Sequence, residues 1–351
     1  MPKFHPLTVK EIKKETSDAV SILFDIPNEL KETFKFAAGQ YINIKINLAG
    51  EELRRAYSIC SAPNSGELRI ALKAVDNGTF SVFATTILKE GDILEVSKPE
   101  GKFVLETDST NAKNYLGIAA GSGITPIMSM IKAVLTEEPN STFLLIYGNK
   151  TSADTIFKNE IILLQNTHPA QFHVQYVMSR EKNEAALFGR IDKGNLNFIL
   201  KNKFKNTVFD AAFLCGPATM IQTAKETLTE NGLDENGIHF ELFAPPVSSE
   251  NETQIAFEGT CDIMVILDDE ETIFEMDSKN TILTAALKEG LDAPYSCQGG
   301  ICSSCLAKVT GGKAMMEKNS ILSDAEIKEG FILTCQAHPI TQKITIDYDN
   351  V

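Results

Sequence analysis

The stretch Ser296-Cys297-Gln298-Gly299-Gly300-Ile301-Cys302-Ser303-Ser304-Cys305 places three of the protein's seven cysteines within nine residues, with a glycine pair between the first two. Cysteines at such spacing can be packing residues, a redox dithiol, part of a zinc site or ligands of an iron–sulfur cluster. The C-x-x-C pair at its end does not by itself separate these alternatives. The choice among them decides what kind of protein this is.

A fourth cysteine farther along the chain favours the cluster. With Cys335, the cysteines form the array C-x4-C-x2-C…C, which is the plant-type spacing for a [2Fe–2S] cluster. A zinc ribbon would show two C-x2-C knuckles, and the sequence has one. Gly299 and Gly300 can adopt backbone conformations closed to other residues, which lets the chain approach a cluster. The predicted ligands are Cys297, Cys302, Cys305 and Cys335.

Length, charge and composition limit the possible functions. The 351 residues are enough for two or three domains. The net charge of −14 argues against nucleic acid or an anionic membrane as a partner. Residues 250–351 hold 18 acidic residues and 7 lysines, so the excess is concentrated around the cysteine cluster. The first residues lack a secretion signal, and the odd cysteine count favours reduced thiols, so we expect a cytoplasmic protein.

The chain changes pattern twice. Residues 1–108 contain short alternating strands separated by turn signals, which predicts a barrel or sandwich. Residues 109–243 alternate apolar strands with helices, among them Pro126–Leu135, Ala153–Gln165 and Pro217–Thr229, which predicts a parallel α/β sheet. The uncharged segment Tyr115–Ile131 is too short and too rich in glycine for a membrane span and is predicted to be a buried strand and helix. A Pro/Ser/acidic linker, 244–260, precedes a third domain, 261–351.

Two short motifs in the first 243 residues are typical of nucleotide cofactors. Gly121-Ser122-Gly123-Ile124-Thr125-Pro126 joins a predicted strand to a helix, where free N–H groups and the helix dipole can bind a pyrophosphate. Arg55-Ala56-Tyr57-Ser58 offers an arginine for a phosphate, an aromatic face for a flavin ring and a hydroxyl for its edge. Each motif alone also fits an ordinary turn or strand.

These motifs, followed by Cys215-Gly216-Pro217, resemble in order and spacing the ferredoxin–NADP reductase superfamily. The last ninety residues resemble plant-type ferredoxins. Together they resemble the oxygenase reductases, and segments such as Phe331–Ala337 look most like the phenylacetyl-CoA epoxidase reductases. The resemblance implies an antiparallel flavin-binding β-barrel, a Rossmann-like α/β nicotinamide-binding domain and a C-terminal β-grasp [2Fe–2S] ferredoxin domain.

The resemblance also implies residue roles. Ser58 and Cys215 would lie at the reacting edge of the flavin and beside the nicotinamide. Ser179 and Arg180 resemble the pair that binds the 2′-phosphate of NADP, which favours NADPH over NADH, although Glu181 follows them. FAD is preferred to FMN. The implied cofactor-binding residues are Arg55, Ala56, Tyr57, Ser58, Lys73, Ala74, Val75, Gly78, Thr79, Phe80, Ser81, Gly121, Ser122, Gly123, Thr125, Pro126, Ser179, Arg180, Cys215, Gly216 and Phe243.

The resulting prediction is an electron-transfer reductase. Electrons would pass from NAD(P)H to FAD, then to the [2Fe–2S] cluster, then to a terminal oxygenase that docks on the acidic ferredoxin domain. Three alternatives stay open: a reductase for a steroid-ring or alkane hydroxylase, a stand-alone reductase without a dedicated partner, and a zinc-containing binding module.

Overall fold

The computed structural model describes residues 3–48, 50–243 and 259–351. Most of the predicted linker 244–260 therefore lies outside the described residues. The chain divides into two compact units, of which one is Phe4–Phe243 and the other includes residues 259–351. The predicted boundary near residue 108 falls between the two sheets of the first unit.

The first half of the larger unit is an antiparallel sheet in the order β4-β3-β6-β1-β2-β5. An isolated pairing of Ile59 with Ile70 joins its two edges, which closes the sheet toward a barrel. Alternate side chains, among them Ile22, Ile42 and Leu68, fill the interior. The elements are β1 (Phe4–Lys14), β2 (Ala19–Asp25), β3 (Tyr41–Leu48), β4 (Glu51–Ser58), β5 (Leu68–Lys73), α1 (Thr79–Thr86) and β6 (Ile93–Ser97). Helix α1 stands where the sequence predicted only strands and turns.

The second half is a parallel sheet in the order β10-β9-β8-β7-β11-β12. The order reverses between β7 and β11, which is where open α/β sheets bind ligands. The elements are β7 (Asn114–Ala120), α2 (Ile124–Glu137), β8 (Thr142–Asn149), α3 (Lys158–Thr167), β9 (Phe172–Met178), β10 (Ala186–Phe188), α4 (Lys193–Phe198), β11 (Ala211–Gly216), α5 (Ala218–Glu230) and β12 (Ile238–Leu242). Helix α3 begins five residues later than predicted, because Ser152–Asp154 forms a separate turn and Phe157 is left-handed, with φ 61°.

Helix α2, from the parallel half of the larger unit, is hydrogen-bonded to the antiparallel half. Ser129 Oγ donates a buried hydrogen bond of 2.7 Å to the Ser61 carbonyl, and Lys132 Nζ donates one of 3.0 Å to the Cys60 carbonyl. Both carbonyls lie just beyond β4. The helix that follows the Gly121–Pro126 turn is thus bonded to the segment that follows Ser58.

The second unit is a five-stranded sheet in the order β14-β13-β19-β15-β17, with a separate β16-β18 pair. Helix α6 contributes Ile282, Leu283 and Ala286 to the core of this unit. The elements are β13 (Thr260–Leu267), β14 (Glu270–Asp277), α6 (Ile282–Lys288), β15 (Leu306–Gly311), β16 (Ala314–Met316), α7 (Asp324–Lys328), β17 (Phe331–Leu333), β18 (Ala337–Pro339) and β19 (Lys343–Asp347). In the described parts of the chain, no helix has the length and apolar character that crossing a membrane requires.

Candidate functional site

The fold gathers the four predicted ligand cysteines. Cys302 Sγ lies 3.1 Å from Cys297 Sγ, and the thiol of Cys335 is hydrogen-bonded to those of Cys297 and Cys305. Cys305 and Cys335 are buried, whereas Cys297 and Cys302 keep some exposure. The other three cysteines are buried elsewhere, in the barrel, on β11 and on β13. The site therefore has an inner and an outer pair of thiols.

Proximity makes these thiols compete for protons. Hydrogen bonds from the Cys302 and Cys335 thiols lower the pKa of Cys297, and those that Cys335 makes to Cys297 and Cys305 raise the pKa of Cys335. Four thiolates cannot coexist here without cations, and metal binding requires deprotonated cysteines. The electrostatics thus suit bound cations.

The loop around the outer pair is tightly turned. Gln298 and Gly300 have φ values of 51° and 72°, and the N–H of Gly299 donates to Cys297 Sγ at 3.3 Å. A Cβ on residue 300 would lie 2.8 Å from the Lys318 carbonyl oxygen. The chain therefore needs glycine at 300 on grounds of both conformation and space.

The inner and outer pairs of thiols fit a two-iron cluster, whose ligands are four cysteines. Among the described residues, no group of three or more His, Cys, Asp or Glu side chains is arranged to hold one metal ion. A plant-type cluster has a different requirement, since its four cysteines are shared between two irons.

The flavin motif forms the last four residues of β4. Arg54 is buried and paired with Glu52 at 2.8 Å, whereas Arg55 is exposed and so is the arginine available to a phosphate. The Tyr57 ring packs 5.5 Å from the ring of Phe80, and burial raises the pKa of Tyr57. The motif thus presents Arg55, Ala56, Tyr57 and Ser58 in succession at one edge of the barrel.

The second flavin segment runs from the end of β5 into α1. Val75 is 59% exposed, and its N–H donates to Ser81 Oγ at 3.3 Å. Lys73 is paired with Asp18 at 3.1 Å and is therefore not a free cation. Gly78 precedes helix α1, which begins at Thr79 and contains Phe80 and Ser81. Helix α1 thus places its N-terminal N–H groups at residues 78–81, where the resemblance implies cofactor binding.

The two nicotinamide motifs meet at the reversal of strand order. The turn Gly121–Gly123 follows β7, and Cys215-Gly216 ends β11, the neighbouring strand. A Cβ on residue 123 would lie 2.2 Å from the Cys215 carbonyl oxygen, so only glycine permits this approach. Pro126 is the third residue of α2 and not the first, as predicted, because the helix begins at Ile124 after a short 3-10 turn.

Three polar side chains from three strands converge nearby. Ser58 Oγ donates to Glu241 Oε2 at 3.3 Å, and Glu241 on β12 is the register partner of Cys215 on β11. Desolvation raises the pKa of Glu241 to about 8, which the hydrogen bond from Ser58 partly opposes. Burial, and then the charge of Glu241, raise the pKa of Cys215. Phe243 follows β12 and is 40% exposed.

Glu241 is the residue that sequence reasoning missed. Its sequence context, Glu241-Leu242-Phe243, carries no local pattern that assigns the carboxylate a role. Only the fold places this carboxylate against Ser58, which is 183 residues away in the chain.

Two residues of opposite charge, Arg180 and Glu181, follow β9 and lie in different environments. Arg180 is exposed, whereas the Glu181 carboxylate accepts hydrogen bonds from the Ser152 N–H at 2.7 Å and the Ser152 hydroxyl at 3.1 Å. The N–H of Ser179 donates to the Asn149 carbonyl at 3.0 Å. The acidic side chain is therefore engaged by its neighbouring loop.

Three family models match successive parts of the chain: an oxidoreductase FAD-binding domain over 6–105, an oxidoreductase NAD-binding domain over 118–226 and a 2Fe-2S iron-sulfur cluster binding domain over 265–339. The solved structure of phthalate dioxygenase reductase has the same fold, with a TM-score of 0.61 at 22% identity and 98% of each chain covered. The chain is thus an oxidoreductase that uses FAD, a nicotinamide cosubstrate and a [2Fe–2S] cluster.

Curated relatives narrow the class further. The chain is 38% identical to a subunit of the 1,2-phenylacetyl-CoA epoxidase from Escherichia coli K12, with 99% of each chain covered. It is 29% identical to the ferredoxin reductase component of 3-ketosteroid-9-alpha-monooxygenase from Rhodococcus rhodochrous, covering 97% of this chain and 96% of that one. The chain belongs to the oxygenase reductases of the ferredoxin–NADP reductase superfamily, in the family of that epoxidase component. These matches confirm the predicted fold class, family and cofactor classes.

Proposed function

We propose that the chain transfers electrons from NADPH to a phenylacetyl-CoA epoxidase that serves phenylacetate degradation. The 38% identity to the E. coli epoxidase component over nearly the whole chain carries this proposal. The likeness to a 3-ketosteroid-9-alpha-monooxygenase reductase makes a steroid-ring oxygenase the second candidate. Reconstitution with each purified oxygenase decides between them, and turnover with only the steroid enzyme would overturn the first.

Cys297, Cys302, Cys305 and Cys335 are the proposed ligands of the cluster. Arg55, Tyr57, Val75 and the start of α1 would hold FAD, which, when bound, accepts a hydride from NADPH and passes electrons on singly. Two positions support these roles: Arg55 is exposed on β4, and helix α1 begins at Thr79 without a side-chain cap. The distance between the glycine turn and Cys215 is fixed by Gly123.

Ser58, Cys215 and Glu241 form the proposed reacting edge. With its pKa at about 8, the Glu241 carboxyl is mostly protonated at neutral pH, so it can hold a proton without adding a negative charge. Ser58 lies within hydrogen-bonding distance of that carboxyl and can pass the proton toward the ring beside it. Cys215 limits the space opposite the nicotinamide.

We infer a preference for NADPH. The exposed Arg180 is free to pair with a 2′-phosphate, and Glu181, which would repel it, is bonded to Ser152. Substituting Arg180 by Ala should lower kcat/KM for NADPH about tenfold or more and leave that for NADH nearly unchanged. Arg190→Ala, another exposed arginine, is the control. An equal loss for both nucleotides would contradict the preference.

We propose that the acidic ferredoxin domain docks on a basic face of the oxygenase, in the cytoplasm. The domain carries most of the excess negative charge, which suits electrostatic docking. None of the seven cysteines, all of which the structure describes, forms a disulfide, which suits a reducing compartment. The rate of partner reduction should fall as salt rises from about 0.05 to about 0.5 M. A rate indifferent to salt would rule out electrostatic docking.

An anaerobic titration tests the electron path as a whole. NADPH is added stepwise while flavin and cluster absorbance are followed together. We expect both to bleach, whereas bleaching of flavin alone would show that electrons do not reach the cluster. A colourless protein that contains zinc and no iron would overturn the cluster itself.

A further inference from the structure

Tyr348 belongs to none of the sequence motifs, yet its hydroxyl is hydrogen-bonded to Thr334, the residue before Cys335. It follows the last strand, is only 6% exposed and donates a hydrogen bond of 3.0 Å to Thr334 Oγ1. Its own N–H donates to the Ile266 carbonyl at 3.0 Å, which fixes the residue against β13. The backbone of Tyr348 is therefore fixed by the bond to Ile266, and its hydroxyl is fixed by the bond to Thr334.

Thr334 passes that contact on to a cysteine. It is fully buried, and its Oγ1 donates to the Cys305 carbonyl at 3.0 Å while its N–H donates to the same oxygen at 3.1 Å. The Leu283 N–H donates to the Thr334 carbonyl at 3.0 Å, which ties the residue to α6 as well. The Cys305 carbonyl thus accepts two hydrogen bonds from one residue.

The result is a hydroxyl relay, defined as the bonds from Tyr348 through Thr334 to the Cys305 carbonyl. Thr334 directly precedes Cys335, whose thiol is hydrogen-bonded to that of Cys305. The two buried cysteines are therefore connected in two ways: through the relay and the backbone at Thr334, and through the hydrogen bond between their thiols. The outer pair, Cys297 and Cys302, has no such bond to Tyr348 among the described contacts.

We propose that Tyr348, acting through Thr334, is a positioning residue for the Cys305–Cys335 half of the cluster site. This rests on the proposed ligand role of the four cysteines. A hydroxyl that accepts a hydrogen bond becomes a better donor, so Tyr348 strengthens the bond from Thr334 to Cys305. That bond holds the segment of Thr334 and Cys335 against the segment of Cys305.

The relay also affects the charge near the site. Two donors offset part of the negative charge on the Cys305 carbonyl oxygen. Weakening one of them leaves that charge less compensated, and nearby negative charge disfavours an added electron. Loss of the Tyr348 hydroxyl should therefore move the reduction potential of the cluster to a more negative value.

Iron release from the full-length, cofactor-loaded protein tests the proposal. Release to an excess of chelator is followed by loss of cluster absorbance, and the potential is measured by dye-mediated titration. We expect Tyr348→Phe and Thr334→Val to release iron about tenfold faster. This is the lower end of the effect that loss of a supporting hydrogen bond has at a metal site, about 10–100-fold. Thr334→Ser keeps the hydroxyl and should behave as wild type.

A matched variant separates positioning from general stability. Ile346→Val removes one methylene from the buried core at β19, two residues before Tyr348, and should cost a comparable amount of stability without touching the relay. The proposal is overturned if Ile346→Val releases iron as fast as Tyr348→Phe, or if Thr334→Val and Thr334→Ser release it equally.

A variant that does not fold and a wild-type protein that binds no iron would each still give a decision. Should Tyr348→Phe fail to fold, the Thr334→Val and Thr334→Ser pair decides the question alone. A wild-type protein that binds no iron overturns the ligand assignment and the proposal together, whereas an iron-loaded wild type whose release rate none of the variants changes overturns the relay only.

Discussion

The cysteine site and the flavin–nicotinamide site are built in opposite ways. Three of the four cysteines stand in one loop, and the fourth follows on the same unit at Cys335. The proposed reacting edge at Ser58 and Glu241 instead joins residues 183 positions apart, from the barrel and the parallel sheet. The first site depends on local backbone geometry, and the second on how two halves of one unit pack together.

This difference predicts that the two sites fail separately. A change in the loop should remove the cluster and leave the flavin, whereas a change between the two halves should alter flavin reduction and leave iron content untouched.

Cys302→Ser should have the largest effect. It removes one ligand, and loss of a mere supporting contact already costs about 10–100-fold at metal sites, so delivery to the oxygenase should fall at least about 100-fold. NADPH oxidation with ferricyanide, which accepts electrons directly from the flavin, should stay within about twofold of wild type. Stopped-flow kinetics and iron content measure both.

The control for that variant is Cys261→Ala. Cys261 is fully buried on β13, outside the cysteine site, so its loss should leave iron content intact. If Cys302→Ser kept full iron content and partner reduction, the ligand assignment would be wrong.

Glu241→Gln should come next, with flavin reduction about 100-fold slower at pH 7, as expected when a proton-holding group is lost. The wild-type rate should fall as pH rises through about 8, where the carboxyl loses its proton, and the variant should lack this limb. Ser58→Ala removes the hydrogen bond that lowers the pKa of Glu241, so its alkaline limb should move to higher pH. Unchanged pH profiles in both variants would exclude the proposed role.

A stability measurement checks the same pKa without activity. A carboxyl whose folded pKa is raised contributes stability at low pH that is lost as pH rises through the folded value. The flavin-depleted chain should therefore lose unfolding free energy between about pH 5 and pH 8, on the order of a few kcal/mol. Urea unfolding of Glu241→Gln should show a smaller loss over the same range. Parallel losses in the two proteins would place the titration elsewhere.

The same contrast explains what the sequence could reveal. That the four cysteines come together could be predicted, because three of them lie in one loop at a characteristic spacing and Cys335 completes the array. Helix α1 could not, since Thr79–Thr86 carries four β-branched residues and reads as strand by propensity. Nor could Glu241, because its role depends on register with Cys215 and on the bond to Ser58, neither of which leaves a local pattern.

Gly300→Ala should produce a moderate effect in the loop. The residue would take on left-handed strain, about 1 kcal/mol, and its Cβ would also lie 2.8 Å from the Lys318 carbonyl oxygen. We expect a total loss of about 2–3 kcal/mol in unfolding free energy together with lower iron content. Gly290→Ala is the matched control, because residue 290 has φ +88° but nothing within 4 Å of its Cβ. Equal losses in both variants would show that space around the loop is unimportant.

Ser129→Ala should have the smallest effect and should act only on the other site. Its Oγ donates to the buried Ser61 carbonyl at 2.7 Å, and leaving that oxygen without a donor costs about 1 kcal/mol. Helix α2 would then hold the Gly121–Gly123 turn less firmly against the flavin half, so flavin reduction should slow about 3- to 10-fold with iron content unchanged. Thr136→Ala, on the same helix, removes a hydroxyl that is bonded to the Lys132 carbonyl of its own helix. This control should change neither flavin reduction nor iron content. Iron loss in Ser129→Ala would mean that the two sites are coupled after all.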